Sequence, residues 1–271
     1  MSDLKILVAG AAGRMGRVVM REALLTDGMD LCGGFEAAGH ELLGKDLGQL
    51  AGLEPVSKYL AVGDRSCFEA AHAVIDFTAP DASIDNARLA VDAGVALVLG
   101  TTGFNAIQEE EIRRLSKRSV IVKSGNMSLG VNLIAHFVRE AAARLGREFD
   151  IEIFEAHHRD KKDAPSGTAL MLGAAAAKGR STNLESEAVF TRNGLTGARP
   201  EGAIGFSVFR GGGVVGDHDV TFAAASELVT FSHRALDRSL FAKGAITAAK
   251  WTRDKTPGLY SMADVLGLPA D

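Results

Sequence analysis

Cysteine is scarce. The 271 residues hold two, Cys32 and Cys67, and no CxxC pair. A disulfide framework and a thiolate metal site of that spacing are therefore excluded. Both thiols sit in apolar-looking stretches, which reads as a chain kept in a reducing compartment. A run of about 18 apolar residues is also missing, so no membrane-spanning helix is expected. The opening MSDLKILVAG lacks the basic start, apolar run and small-residue cleavage site of a secretory leader. A cytoplasmic protein with no membrane partner is the expectation. An excess of positive charge is absent too: 30 Lys and Arg face 34 Asp and Glu, a net charge of −4. That excludes a general nucleic-acid binder held by counterion release. Internal repeats and low-complexity tracts do not occur.

What is present is apolar content of 46%, enough for a substantial core, in a length that suits one large or two medium domains. Short β-type runs at 4–9, 31–35, 73–77, 95–99 and 120–122 alternate with helical patterns at 13–25, 81–93, 105–117 and 129–145. In the first helix Met15, Val18, Val19 and Ala23 recur at helical spacing. Such alternation predicts a parallel sheet with helices on both faces. After residue 149 the texture changes. Strand-like runs at 149–156, 203–210, 214–223 and 227–232 accompany an Ala- and Leu-rich helix at 166–178. This predicts a mixed or antiparallel sheet carrying one helix. Helices are expected at 237–251 and 261–266, and a long loop over 179–202.

The sequence Gly10-Ala11-Ala12-Gly13-Arg14-Met15-Gly16 follows the first strand and opens a helix. Glycines at such a turn let backbone approach a pyrophosphate, and the helix start favours its negative charge. The spacing is GxxGxxG instead of GxGxxG, so the turn gains weight from its context. Glu36 closes the second strand about 20 residues on, where a carboxylate accepts ribose hydroxyls. Gly100-Thr101-Thr102-Gly103-Phe104 and Ser124-Gly125-Asn126-Met127 each follow a later strand. In an open parallel sheet all these loops fall on one edge, where ligands bind. The pattern predicts a dinucleotide site.

The densest chemistry lies at Glu152 to Ala169, EIFEAHHRDKKDAPSGTA. Two histidines, three Lys or Arg and four carboxylates share 18 positions. Unpaired charge is costly to bury, so the segment reads as a site. Its HHxxKxDxPSGT core resembles the signature of the 4-hydroxy-tetrahydrodipicolinate reductase family, formerly called dihydrodipicolinate reductases. GRMG at Gly13–Gly16, IDFT at Ile75–Thr78, GTTGF at Gly100–Phe104 and IGFSVFRGGGVVGDH at Ile204–His218 are similar to the same family, in the same order. The likeness runs over essentially the whole chain.

The resemblance implies reduction of a cyclic imine dicarboxylate by NADH or NADPH in the diaminopimelate route to lysine. It implies an α/β protein: a Rossmann-type dinucleotide-binding domain at 1–127 and 237–271, and an α+β domain with a mixed open sheet at 128–236 that binds substrate and forms a homotetramer. His157 matches the proton donor, and imidazole suits general acid work near neutral pH. Lys161 matches the second catalytic position, adding positive charge that stabilises a developing anion. His158, Gly167 and Thr168 match the substrate contacts, the last two at a helix start suited to a carboxylate. Arg210 and His218 are expected to support the site. Relatives often carry His at 160, where this chain has Asp160. Relatives that use NADPH well often have Arg after the acidic residue at 36, where this chain has Ala37. Glu36 repels a 2′-phosphate, and nothing adjacent compensates except Arg14, which could reach the adenosine end. NADH is thus expected to serve at least as well as NADPH.

Other classes fit less well. Reading His157, His158, Asp160 and Asp163 as metal ligands fails on spacing, with no HExxH or similar pattern, and no metal is expected. A non-catalytic nucleotide sensor has no use for His157 and Lys161 together. Another two-domain NAD(P)-dependent oxidoreductase of amino-acid metabolism is the nearer alternative. Aspartate-semialdehyde dehydrogenase chemistry needs a catalytic cysteine, which neither Cys32 nor Cys67 is placed to supply.

Overall fold

The computed structural model describes residues 3–269. The chain forms two compact units: one runs to Leu129 and resumes at Arg238, and the other spans Gly130–Asp237.

The first unit begins β1 (Leu4–Ala9), α1 (Arg14–Leu25), β2 (Met29–Glu36), α2 (Leu47–Leu50), β3 (Ala61–Val62) and α3 (Arg65–Glu69). It continues β4 (Ala73–Asp76), α4 (Pro80–Ala93), β5 (Ala96–Leu99), α5 (Ala106–Ser116) and β6 (Val120–Lys123). Next come α6 (Leu129–Arg144), β7 (Asp150–His157), α7 (Gly167–Gly179), α8 (Leu184–Glu187) and β8 (Ala188–Val189). They are followed by β9 (Ile204–Arg210), β10 (Gly216–Ala223) and β11 (Leu228–Ala235). The return to the first unit supplies α9 (Ser239–Trp251), β12 (Gly258–Tyr260) and α10 (Met262–Val265).

The strands of the first unit are mostly apolar because both sheet faces are covered, as parallel sheets require. Along β1, β5 and β6 the pleat sends Ile6, Val8, Val98 and Val122 to one face, into a core with Val19 and Met20 of α1 and Ala245 and Ala249 of α9. Leu7, Ala9, Leu97, Leu99 and Ile121 point the other way, onto Ile84, Ala87 and Val91 of α4 and Ile112 and Leu115 of α5. Helix ends are set locally. Pro80 starts α4 and Gly94, at φ 68°, closes it. Asn105 and Gln108 form a reciprocal capping box on α5. The sheet order is β12-β6-β5-β4-β1-β2-β3, with every pair parallel. The chain reverses its direction of travel at β1, which lies between β4 and β2, and this opens a crevice at the carboxyl ends of the strands.

The second unit has the expected mixed sheet, ordered β11-β10-β7-β9-β8. Strand β10 runs antiparallel to β7 and β11, while β9 is parallel to β7 and β8. Ile151, Ile153, Ile204, Phe206, Val220 and Phe222 line one face under Val138 of α6 and Ala169, Leu172 and Ala176 of α7. The other face is open: Phe154 and Phe209 remain 40% and 47% exposed.

Three expectations change. Residues 37–72 carried no expected element, yet hold α2, β3 and α3. The span 179–202, expected as loop, contains α8 and β8, which extends the mixed sheet at its edge. The edge strand β12 was also not expected. Each is two to five residues long, too short for a hydrophobic period to show.

Candidate active site

At the carboxyl edge of the parallel sheet, the first turn is shaped by close backbone approach. Gly10 has φ +63°, and a Cβ on Gly16 would lie 2.1 Å from the Gly10 carbonyl oxygen. Only glycine lets α1 start so tightly against β1. The Glu36 carboxylate accepts the Ala12 N–H at 3.0 Å, and the Arg17 guanidinium donates to the Ala12 carbonyl at 2.8 Å. Glu36 is thus drawn to the glycine turn. A cavity of about 520 Å³ opens here, lined by Gly10, Gly13, Glu36, Ala37, Phe77 and Thr78 among others.

The other residues expected to line the cofactor divide by exposure. Ala11, Ala12 and Met127 have buried side chains, so they offer backbone alone. Arg14, Gly100, Thr102, Ser124 and Gly125 are exposed or half-exposed, as is Met15. Thr101 is buried and hydrogen-bonded to the Ser83 hydroxyl at 2.8 Å. The Ser124 hydroxyl donates to the Asn126 carbonyl at 2.7 Å, and the Asn126 side-chain oxygen accepts the Ser128 N–H at 2.8 Å. Helix α9 sits directly on this loop: a Cβ on Gly244 would meet the Met127 carbonyl oxygen at 1.7 Å.

Between these loops lies a polar knot that motif reading quoted without giving it a role. Asp76, fully buried at the end of β4, accepts from the Thr78 N–H at 2.8 Å, the Thr78 hydroxyl at 2.7 Å and the Asn86 amide at 2.8 Å. Ser83 and Thr101 reach it at 3.1 and 3.3 Å. It ties the loops after β4 and β5 together. The sequence signal was a carboxylate closing an otherwise apolar strand.

In the second unit the site grows from the carboxyl end of β7. Strand alternation puts Ile151, Ile153, Glu155 and His157 on the helix-covered face, so the apolar run ends in two polar groups. The register brings Arg210 of β9 opposite His157, and His218 of β10 opposite Glu155. Glu155 is fully buried and accepts from Arg210 at 2.7 Å on each oxygen, from the Ser166 N–H at 2.9 Å, and pairs with His157 Nδ1 at 2.6 Å. Ser166 caps α7 through the Ala169 N–H, and its hydroxyl lies 3.0 Å from His218 Nε2. The His157 and His218 rings meet edge-on at 5.2 Å.

The loop after β7 is pinned at several points. The Gly211 N–H donates to the His157 carbonyl at 3.0 Å, the Arg159 N–H to the Gly212 carbonyl at 3.2 Å, and Arg210 to the Asp163 carbonyl at 2.7 Å. Lys161 is mostly buried and its ammonium contacts both Asp163 oxygens at 2.8 Å. His158 is half-exposed, as is Thr168, and Gly167 is exposed at the start of α7. No acidic side chain occupies the first turn of α7, so that helix end keeps its positive character. Burial pushes the His157 imidazole below its ordinary value. Glu155 pulls it back, while Lys161 and Arg210 push it down. His218 is driven to about 4, first by burial and then by the charge of His157. The group therefore joins a titratable imidazole, a lysine ammonium and a helix start, a set able to deliver a proton and hold a carboxylate.

Glu155 was the site residue that motif reading passed over. Its signal was available: a carboxylate at a core-facing position of an alternating strand.

The chain matches two family models, "Dihydrodipicolinate reductase, N-terminus" over residues 4–127 and "Dihydrodipicolinate reductase, C-terminus" over 130–266. It is 53% identical over 268 residues to the 4-hydroxy-tetrahydrodipicolinate reductase of Parvibaculum lavamentivorans, covering 98% of this chain and 99% of that one. It is 51% identical over 264 residues to the same-named protein of Brucella abortus, covering 97% and 98%. The dipicolinate-bound dihydrodipicolinate reductase from Paenisporosarcina sp. TG-14 shares its fold, with a TM-score of 0.75 at 21% identity, covering 97% of this chain and 98% of that chain.

Proposed function

This chain belongs to the dihydrodipicolinate reductase family, and we propose that His157 is the proton donor of its reaction, with Lys161 as electrostatic partner. The enzyme is an NAD(P)H-dependent oxidoreductase that reduces 4-hydroxy-tetrahydrodipicolinate in the diaminopimelate route to lysine. Its cofactor is a nicotinamide dinucleotide and its substrate a small cyclic dicarboxylate.

The first unit suits the cofactor. The glycine turn leaves no room for a Cβ at Gly16, and the 520 Å³ cavity beside it carries the Glu36 carboxylate on its wall. Gly10, Ala11, Ala12, Gly13, Arg14 and Met15 would hold the pyrophosphate, Glu36 the adenosine ribose, and the loops at Gly100–Thr102 and Ser124–Met127 the nicotinamide end. When bound, the dihydronicotinamide supplies a hydride. Ala37 beside Glu36 offers no cation to a 2′-phosphate, which supports NADH as at least the equal of NADPH.

The second unit suits the substrate. The N–H groups of Gly167 and Thr168 at the start of α7 take one carboxylate, with His158 beside them. Negative charge that develops on the substrate is met by the Lys161 ammonium and quenched by the proton of His157. The observation that carries this reading is the placement of His157, Lys161 and the α7 start in one pinned loop. The open sheet face bearing Phe154 and Phe209 supports a homotetramer.

The test is NADH oxidation with substrate made in situ by the preceding synthase. His157→Ala and Lys161→Ala should each lower kcat by about 100-fold or more with NADH affinity little changed. Near-normal rates in both would remove the assignment.

A further inference from the structure

We infer that Glu155, clamped by Arg210, is a positioning residue for His157: it dictates which ring nitrogen exchanges the proton and holds the ring in place at the end of β7. This rests on the reading of His157 as proton donor.

Glu155 has no exposed surface, and a carboxylate buried that far is tolerated only when its lone pairs are met. Here four contacts meet them. Oε1 accepts the Ser166 N–H at 2.9 Å and Arg210 Nη2 at 2.7 Å. Oε2 faces Arg210 Nη1 at 2.7 Å and His157 Nδ1 at 2.6 Å. Burial alone would push the Glu155 carboxyl up. The hydrogen bonds from Arg210, His157 and the Ser166 amide outweigh it and hold the group below its ordinary value.

An ionised carboxylate only accepts. His157 Nδ1 must therefore carry hydrogen whether the ring is neutral or charged, and the exchanging proton sits on Nε2. Nε2 lies over Gly216, where a Cβ would come within 3.0 Å, so the absence of a side chain keeps that nitrogen uncovered. The charged and titratable groups around His157 are Glu155 on its own strand, Lys161 with its partner Asp163 in the loop, Arg210 of β9, and His218 of β10 with His233 of β11 beyond it. Asp163 is committed to Lys161. Glu155 is thus the anion that favours the imidazolium, against burial and two cations.

The test is Glu155→Gln in the full-length enzyme. A purely structural role predicts a less stable protein with normal catalytic constants. The positioning role predicts a kcat lower by about 10- to 100-fold, as for other groups that orient a functional imidazole, with KM for substrate and Kd for NADH within about threefold. The descending limb of the kcat profile should move to lower pH, because the imidazolium loses its anion. Nitrogen-15 NMR should show neutral wild-type His157 as the Nδ1–H tautomer, and the variant shifted toward Nε2–H. If the single variant does not fold, because Arg210 is left half-buried without its anion, Glu155→Gln combined with Arg210→Met removes both charges and should show the same losses. Unchanged kcat and pH profile in whichever variant folds, or an Nε2–H tautomer in the wild type, overturns the inference. His157→Gln separates the two claims. If it is inactive while the Glu155 variants are normal, this inference alone fails. If it is active, the proton-donor reading falls and this one with it.

Discussion

At the scale of single residues, His218 gives the molecule a pH dependence of stability. It is 4% exposed, and burial with the charge of His157 lowers it from 6.5 to about 4. The folded value lies below the unfolded one, so folding favours the neutral ring. That contribution is whole above pH 6.5 and is lost as pH falls toward 4; its size is roughly 3 kcal/mol. Urea titrations at pH 7 and pH 5 should show a fall in midpoint that His218→Gln makes shallower. A second test concerns the cofactor. Ala37→Arg places a cation beside Glu36 and should raise kcat/KM for NADPH by about tenfold, leaving NADH nearly unchanged. Wild-type kinetics with both cofactors provide the baseline, and a large native NADPH preference would contradict the reading of Glu36. At this scale the sequence was legible where a residue's type and spacing forecast its geometry, as at Gly10, whose positive φ the turn requires. It was less so at Glu155, whose partners Ser166, Arg210 and His157 come together only through the register of β7 with β9 and the turn into α7.

Among the elements, α9 bears on the loop at Ser124–Met127 proposed to hold the nicotinamide end, although it follows that loop by more than a hundred positions. Its Gly244 touches the Met127 carbonyl so closely that Gly244→Ala must push the helix off the loop. The expected outcome is a loss of about 2 kcal/mol and a raised KM for NADH, with substrate KM preserved; thermal unfolding and steady-state kinetics check both. Strands and helices of ordinary length could be read ahead, since apolar runs such as Ala73–Asp76 and the period of Arg14–Leu25 declare themselves. The pair Ala61–Val62 and the triplet Gly258–Tyr260 could not. They are strands because β2 and β6 offer open edges, which is a property of the neighbours and not of the residues.

For the whole molecule, the open face of the mixed sheet sets the expected association. Phe154 and Phe209 project from β7 and β9 on the side away from α6 and α7, and Leu228 of β11 is exposed on the same side. An apolar patch of this kind marks a contact between proteins. Phe154→Glu should dissociate the proposed tetramer, read by light scattering during size exclusion, with circular dichroism unchanged. The double passage between the units has a consequence for biosynthesis. Residues up to β6 complete most of the parallel sheet, yet the face of Val98 and Val122 is closed by α9, made after all of Gly130–Asp237. At ribosomal rates that delay is roughly 5–20 s. The second unit, contiguous in the chain, can fold within that interval. The first must wait with the part of that face not covered by α1 left bare, so a chaperone that shields nascent apolar surface has its natural client in the half of the protein synthesised earliest.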